Sequence, residues 1–576
     1  MEETSQIHKP QPKNWYQRIL SFWLIREFII INKLAWPSVI TAFGAQMIPF
    51  TSLVFTGHIG VGTYLDGASL ALSFANVTGT SIVIGFSSGM DTLCSQAYGG
   101  KNYRLVGVYF QRAIILSLLV CFPIWALWLN AESILILLHQ DVEVAAIAGK
   151  YLRILCVAKP AVVLFTLSTK FLQTQNVVNP TIFLTVIGNV VNISCQYLFV
   201  VHLGFGVEGS AISISISYWS LAILYVMYIR CSPLYHTSWP GWGSDAFRGW
   251  LHYCKYGIPG LIMMCLEWWT FEVGFLVVGG TSANPKVEIG IYSVMFNVSS
   301  QLFSVPIGFT VAATVRVGNL LGANNPALAR KVSFLCISII LAIGMHFSVG
   351  VFLLKSHLPL LFTSDECIIA GATSTLFITA IYETIDGFQL VMSGILKGCG
   401  RQGIASIINL LAFQLIALPL AICLCVVLKM DTMGYWIGLA SAIAVQAVLF
   451  FILLLCMDWR KLASNAQENV GIIKHNGHNK DNGSTYGSVT SCQSSKEDIE
   501  SSALLTSYVK PILIEEVNKS WYRDLIKLAL IAMFIASFAL GLGFYFDHST
   551  PTKLFGSGLF NSSDLNATEI CPYSTL

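Results

Sequence analysis

The segment MGYWIGLASAIAVQAVLFFILLLCM, residues 433–457, holds no Asp, Glu, Lys or Arg in 25 positions. A helix needs about 20 apolar residues to cross the hydrocarbon core of a bilayer. The whole chain of 576 residues is of the same kind, with 55% hydrophobic and only 11% charged residues, whereas a soluble domain has about 25% charged residues. This composition excludes a disordered chain, a disulfide scaffold and a soluble enzyme. It predicts an all-α, multispanning membrane protein.

Eleven more apolar segments of similar length precede residue 459, and a polar stretch rich in Asn, Ser, Gly and Lys follows. That stretch cannot bury enough apolar surface to fold, and a last apolar run lies beyond it. We therefore predict two six-helix lobes and a C-terminal thirteenth span. The expected division is a cytoplasmic N-terminus with a lead-in helix (1–35), a first lobe (36–230), a cytoplasmic loop (231–249), a second lobe (250–457), a disordered cytoplasmic linker (458–523), the thirteenth span (524–546) and an extracellular tail (547–576).

The orientation follows from Lys and Arg, because short cytoplasmic loops carry an excess of both. One side carries Lys101, Arg104, Arg112, Lys170, Arg230, Arg248, Lys255, Arg316, Arg330, Lys331, Lys397 and Arg401, whereas the other carries Lys286, Lys355 and Lys429, with Lys150 and Arg153 at a helix mouth. We expect a multi-pass plasma-membrane protein with a cytoplasmic N-terminus and an extracellular C-terminus. The sequons at Asn561 and Asn566 agree, since they would then be open to glycosylation.

The chain repeats itself loosely at a spacing of about 222 residues. The matches are GFSS at 85–88 with GFTV at 308–311, SQAYG at 95–99 with GNLLG at 318–322, and Pro37 with Pro259. Because six spans form each repeat, both halves enter the membrane from the same face. The repeats should then be related by an axis along the membrane normal, as in transporters that rock two lobes around a central site.

Four carboxylates lie within predicted spans of the second lobe: Glu267 and Glu272 in the seventh, and Glu383 and Asp386 in the tenth. A charge at the bilayer centre is expensive, so each is a functional candidate. Glu383 and Asp386 are three residues apart and share a helix face. Glu267 and Glu272 are five apart and point about 140° away from each other. None has a Lys or Arg within a helical turn, and unpaired carboxylates at such a site are suited to proton exchange.

Aromatic residues surround these acids along the sequence. Trp268 and Trp269 stand between the two glutamates, and Tyr292 and Phe388 lie in the eighth and tenth spans. Aromatic faces beside carboxylates are typical of sites for organic cations. Each tryptophan taken alone is better explained by packing against lipid or neighbouring helices.

The cysteines give no sign of a metal or redox site. The 15 cysteines form no CxxC pair, and most lie in apolar runs, where a thiol behaves as a small hydrophobe. Cys367 and Cys571 are a possible outer-side disulfide. We expect neither a metal nor a cofactor.

Four motifs together resemble the multidrug and toxin extrusion family, most closely its animal and plant branch. They are DTLCSQAYG at 91–99, LEWWTFE at 266–272, VRVGN at 315–319 and SGILKGCG at 393–400. The first lies at a basic mouth, where it is more consistent with an interlobe contact or a helix end than with a substrate site. The resemblance covers residues 33–460, and the thirteenth span is similar to that of vertebrate members. It implies two lobes around a V-shaped cavity that exchange organic cations for protons.

The resemblance assigns roles to individual positions. Glu267 and Glu272 match the carboxylates of the family's seventh helix, and Asp386 matches that of the tenth, which leaves Glu383 as an additional and weaker candidate. Vertebrate members have a glutamate where this chain has Asn297, a weaker candidate. Some prokaryotic members have an aspartate where it has Ser52. The resemblance thus implies no proton site in the first lobe and one acid fewer in the second.

The expected function is export of organic cations in exchange for protons, driven by the proton gradient. The expected partners are small organic cations, protons and membrane lipid, for a chain that acts as a monomer. The net charge of +3 gives no reason to expect a nucleic acid. A sodium-coupled antiporter or a lipid or metabolite flippase remains the alternative, while thirteen spans and an internal repeat argue against a receptor or channel.

Overall fold

The computed structural model describes residues 22–471, except 60, 61, 139, 240 and 364. All regular structure within these residues is helical. Twelve of the described helices are long and apolar enough to cross a membrane, which confirms the predicted fold class and the twelve core spans. They are α1 (Trp23–Gly57), α2 (Gly62–Gly99), α3 (Tyr103–Leu129), α4 (Val142–Thr174), α5 (Asn179–His202), α6 (Gly206–Cys231), α7 (Trp250–Thr281), α8 (Pro285–Gly322), α9 (Pro326–Leu354), α10 (Glu366–Gly398), α11 (Gln402–Val426) and α12 (Asp431–Cys456).

Several predictions fall outside the described residues and stay predictions. These are the thirteenth span, most of the linker, the extracellular tail and the sequons at Asn561 and Asn566. Cys367 is disulfide-bonded, but Cys571 lies outside the described residues, so the pairing of these two cysteines also stays a prediction.

The start of the predicted linker is corrected by the structure, because residues 459–469 form a helix. This helix, α13 (Trp459–Asn469), is preceded by the N-cap residue Asp458. The Asp458 carboxylate accepts hydrogen bonds from the backbone N–H groups of Arg460 and Lys461. Such a cap satisfies donors that the first turn leaves open. The apolar face of α13 is buried, so tertiary packing stabilises a segment that its polar composition assigned to the linker.

The first helix also differs from its predicted boundaries. It begins at Trp23, whereas the sequence predicted a first lobe from residue 36 after a separate lead-in helix. Pro37 and Pro49 lie inside α1 without ending it, which is tolerated where neighbouring groups satisfy the freed backbone. The predicted loop at 231–249 contains two short helical turns, Leu234–Thr237 and Ser244–Phe247.

The two lobes, α1–α6 and α7–α12, contact each other through equivalent helices. The second half of α2 packs along α7, and the second half of α8 packs along α1. A Cβ atom at Gly99 would lie 2.0 Å from the backbone oxygen of Asn319, and one at Gly322 would lie 2.0 Å from that of Gln96. Gly99 and Gln96 are the repeat partners of Gly322 and Asn319. Matching positions of the two repeats therefore touch each other reciprocally, as an axis between the lobes requires.

The second and fifth helices of both lobes are irregular. In the first lobe, α2 contains a π turn at Asn76–Thr80 and α5 ends in one at Tyr197–His202. In the second lobe, α8 is interrupted at Phe303 and α11 contains a π turn at Leu411–Ala417. Such turns are frequent at functional sites, because they redirect side chains and free backbone carbonyls.

The end of the bundle that carries Lys101, Arg248 and Arg401, here called the basic end, is closed between the lobes. The Thr92 hydroxyl donates to the backbone oxygen of Lys397 at 2.6 Å, and the Gln96 amide donates to that of Gly398 at 3.1 Å. The motif at 91–96 therefore takes part in the contact between the lobes.

Helix α13 adds a second layer to this closure. The Asn469 amide donates to Gln96 Oε1 in the first lobe at 2.9 Å and to the Tyr256 hydroxyl in the second at 3.1 Å. The Gln467 amide donates to the backbone oxygen of Gly322, and the Tyr109 hydroxyl donates to that of Asn469. The helix thus bridges both lobes, so its contacts with at least one lobe must break when the basic end opens.

Candidate functional site

Three of the four predicted carboxylates lie together between α7 and α10. Glu267, Glu383 and Asp386 are only 8%, 3% and 2% exposed. Asp386 is close enough to both glutamates for their charges to interact. Glu383 and Asp386 share a helix face, as their spacing predicted, and Asp386 links Glu383 to Glu267 of α7. Three acids at one buried place cannot all carry a charge at low cost, so the cluster is suited to hold a proton or a cation.

Glu383 differs from Asp386 in having a direct partner. The Ser299 hydroxyl of α8 donates a hydrogen bond to Glu383 Oε1. Its neighbour Tyr382 interacts electrostatically with all three acids of the cluster. Tyr382 was not among the predicted site residues, although its spacing of four residues from Asp386 places both on one helix face.

Glu272 stands apart from the cluster, as its angular separation from Glu267 predicts. Its carboxylate Oε2 accepts a hydrogen bond of 2.6 Å from the hydroxyl of Ser73 in α2. The site therefore includes a contact from the first lobe, although the four carboxylates all belong to the second. Nothing in the local sequence around Ser73 indicates this role.

Lys397 connects the acid cluster with the basic end. The sequence assigned it to a basic loop, but it lies in the last turn of α10. There its charge interacts with Asp91 of the first lobe and with Glu267 of the cluster. Asp91 also pairs with Lys170 at 2.5 Å. A chain of charges thus leads from the cluster to the interlobe contact.

The four predicted aromatic contacts have different surroundings. Trp269 is 42% exposed and its indole N–H donates to the backbone oxygen of Val77 at 2.9 Å, while Trp268 is partly buried. Tyr292 is fully buried and its hydroxyl donates to the backbone oxygen of Phe271. Phe388 packs against Phe451 of α12, at 6.0 Å between ring centroids. The structure brings Trp269 to the interlobe boundary and places Phe388 in an apolar contact with α12.

Two aromatic residues that the sequence did not single out extend from the acids, because Tyr382 interacts with the acids and Trp436 packs against Tyr382. Tyr382 and Trp436 pack edge to face, with ring centroids 5.2 Å apart, and Phe271 contacts both. Aromatic faces next to carboxylates attract a cation that has lost water. Trp436 comes from α12, so only the packing of the helices reveals its place.

Asn297 and Ser52 occupy the two positions where the resemblance led us to expect an acid in other members of the family. The Asn297 amide donates to the backbone oxygen of Ser293 at 2.8 Å. Ser52 is fully buried and hydrogen-bonded to the hydroxyls of Tyr151 and Ser210. The first-lobe position is therefore filled by neutral hydroxyls that satisfy each other.

Gln389 is a further buried polar group near the cluster that the sequence did not indicate. It lies three residues beyond Asp386 in α10 and is 1% exposed. Among the described residues, neither its Oε1 nor its Nε2 has a hydrogen-bond partner. Buried amides are normally satisfied, so both atoms are available to a bound ligand or to water.

These features together define a class of protein. Twelve spans form two repeats that touch across an axis, and buried acids lie inside one repeat next to the interface. Repeat-built membrane proteins of this kind, with a polar site near the repeat interface, are secondary transporters.

The comparisons with known proteins agree with the assignment to a class of membrane transporters. The family model MatE matches the chain twice, at residues 37–198 and 259–423. The human multidrug and toxin extrusion protein 1 is 36% identical over 443 residues, 77% of each chain. Protein DETOXIFICATION 17 of Arabidopsis thaliana is 34% identical over 452 residues, 78% of this chain and 94% of the relative. The crystal structure of the eukaryotic MATE transporter AtDTX14 superposes with a TM-score of 0.75 at 32% identity, covering 78% of this chain and 99% of that one.

The chain belongs to the MatE family, the family of the multidrug and toxin extrusion proteins, and is a membrane transporter rather than an enzyme. The resemblance seen in the four motifs is confirmed. The two matches to the family model begin 222 residues apart, which confirms the internal repeat and its spacing.

Proposed function

We propose that this protein exports organic cations in exchange for protons, with the second-lobe acids holding either one. The observation that carries the proposal is the burial of Glu267, Glu383 and Asp386 at one place. A proton neutralises part of the negative charge of the cluster, and so does a cation. Binding of one therefore opposes binding of the other, and linkage makes the effect reciprocal.

The neighbourhood of the acids supports an organic cation as the substrate. Tyr382 and Trp436 supply aromatic faces, and the Gln389 amide supplies a donor and an acceptor without partners among the described residues. The relatives carry multidrug and toxin extrusion in their names. We assign Glu272 and Asp386 to proton exchange and Glu267 to contact with the cation beside Trp268 and Trp269.

Transport requires the two lobes to open alternately toward the two sides of the membrane. The basic end is closed in this structure, and we place it in the cytoplasm because of its lysines and arginines. The protein would then lie in the plasma membrane with its N-terminus inside and its C-terminus outside.

Uptake into proteoliposomes tests this function. A radiolabelled quaternary ammonium ion should accumulate in the vesicles that are acidic inside, because protons leaving the lumen drive the cation inward. Accumulation should collapse when a protonophore dissipates the pH gradient. It should persist when potassium salts replace all sodium salts. A permanently charged probe is chosen because it cannot follow the pH gradient by diffusing in a neutral form.

Sodium coupling is the second candidate, because three carboxylates at one place also offer the oxygen ligands that a metal cation needs. In the same vesicles it predicts accumulation under a sodium gradient without a pH gradient. That result would replace the proposed proton exchange.

A further inference from the structure

Glu272 belongs to the second lobe but accepts a hydrogen bond from the first lobe. Ser73 of α2 donates to its Oε2, and Trp269, three residues earlier in α7, donates its indole N–H to the backbone oxygen of Val77. Val77 lies in the π turn Asn76–Thr80 that begins three residues after Ser73. Both bonds therefore join the acidic segment of α7 to the irregular segment of α2.

The strength of the Ser73–Glu272 bond depends on the charge of the acid. The hydroxyl donates at 2.6 Å, and such a bond to an ionised carboxylate is roughly twice as strong as one between neutral groups. A neutral carboxyl accepts more weakly, and a cation on the same oxygen competes with the hydroxyl. Loss of charge at Glu272 therefore loosens a contact between the lobes.

The other groups around Glu272 leave Ser73 as its principal polar partner. From α8, Tyr292 faces the acid, but its hydroxyl donates to the backbone of Phe271. From α12, Tyr435 donates to the backbone of Thr270. Among the described residues, no lysine or arginine is paired with Glu272.

We propose that Ser73 is a positioning residue of the exchange cycle, which orients the Glu272 carboxylate and makes the contact between the lobes depend on the charge of that acid. The proposal rests on Glu272 being an exchanging group, and so on the proposed function. The first lobe contributes no candidate carboxylate to the site. Through Ser73 it would nevertheless respond to protonation of Glu272.

The titration of Glu272 itself tests the proposal. Infrared difference spectra of the purified full chain, recorded against pH, report the C=O band of protonated carboxyls, and its loss in Glu272→Gln assigns the band. In Ser73→Ala the charged acid loses its donor, so the titration midpoint should rise by about half to one pH unit. Ser73→Thr keeps the hydroxyl and should restore the original midpoint.

A matched control separates this effect from removal of any serine hydroxyl. Ser220 of α6 donates only to the backbone oxygen of Ile216 one turn earlier, and Ser220→Ala should leave the midpoint and the exchange rate unchanged. The pH profile of exchange in vesicles should shift in Ser73→Ala in the same direction as the infrared midpoint.

Two results would overturn the proposal: an unchanged midpoint in Ser73→Ala, or an equal shift in Ser73→Thr, which would indicate a packing effect. Failure of the proposed function is seen separately, as absence of proton-driven exchange in the unsubstituted protein. Even if proton-driven exchange is absent, the infrared titration still measures the effect of Ser73 on the protonation of Glu272.

Discussion

A disulfide between positions 100 and 470 should abolish transport, and a reductant should restore it. A Cβ atom at Gly100 would lie 2.7 Å from Val470 Cγ1, so cysteines at both positions are near the Cβ separation that a disulfide needs. Gly100 follows α2 of the first lobe, and Val470 follows α13. The cross-link would hold α13 in its bridging position and keep the basic end closed. Transport of the radiolabelled cation into vesicles, before and after oxidation, measures the effect.

A cross-link within one lobe is the control. Glu132 Cβ lies 2.8 Å from the Cβ position at Gly149, and both belong to the first lobe. Glu132→Cys with Gly149→Cys removes only the exposed ion pair of Glu132 with Arg153, which contributes little. Oxidation of this pair should leave transport intact. Unchanged transport by the cross-linked 100–470 variant would show that α13 need not release.

Neutralising the two acids that we assign to proton exchange should have a similarly large effect. Glu272→Gln and Asp386→Asn should abolish exchange driven by a pH gradient while keeping some binding of the cation, because the group that protonation must switch is gone. Glu267→Gln should instead weaken binding first, by about tenfold or more, since the buried charge that we assign to contact with the cation is lost. Binding and transport in the same purified variants measure both effects.

Glu383 provides the comparison within the cluster. A glutamine there can still accept the hydrogen bond from Ser299, so Glu383→Gln should keep most of the exchange activity. An inactive Glu383→Gln beside an active Asp386→Asn would place the exchanging acid of α10 one turn earlier.

The sequence predicted those features that arise from patterns along the chain. The apolar segments predicted twelve spans, because each must satisfy its own backbone in the bilayer. Helical spacing predicted that Glu383 and Asp386 share a face and that Glu267 and Glu272 do not. The repeat predicted an axis between the lobes, and the reciprocal contacts of Gly99 and Gly322 agree with it.

Features that depend on contacts between distant segments could not be predicted in this way. Ser73 and Glu272 are 199 residues apart, and no local pattern connects them. Trp436 reaches the acids only through the packing of α12 against α10. Lys397 sits in a basic stretch, and its interaction with Glu267 depends on how α7 and α10 approach each other.

Helix α13 is a different case, because the sequence does contain its signal. Asp458 is a suitable N-cap, and apolar residues follow at the spacing of one helix face: Trp459, Leu462, Ala463 and Ala466. The polar composition of the region outweighed this short pattern. Its stability comes from the partners that both lobes supply.

Proton release on cation binding tests the central claim most directly. The purified protein in weakly buffered detergent solution, at a pH where the acids are partly protonated, is titrated with a quaternary ammonium ion while a pH indicator records free protons. If a proton and a cation exclude each other at the acids of the second lobe, each bound cation should release protons, and Glu272→Gln with Asp386→Asn should release fewer. Saturable cation binding without any proton release would contradict the account.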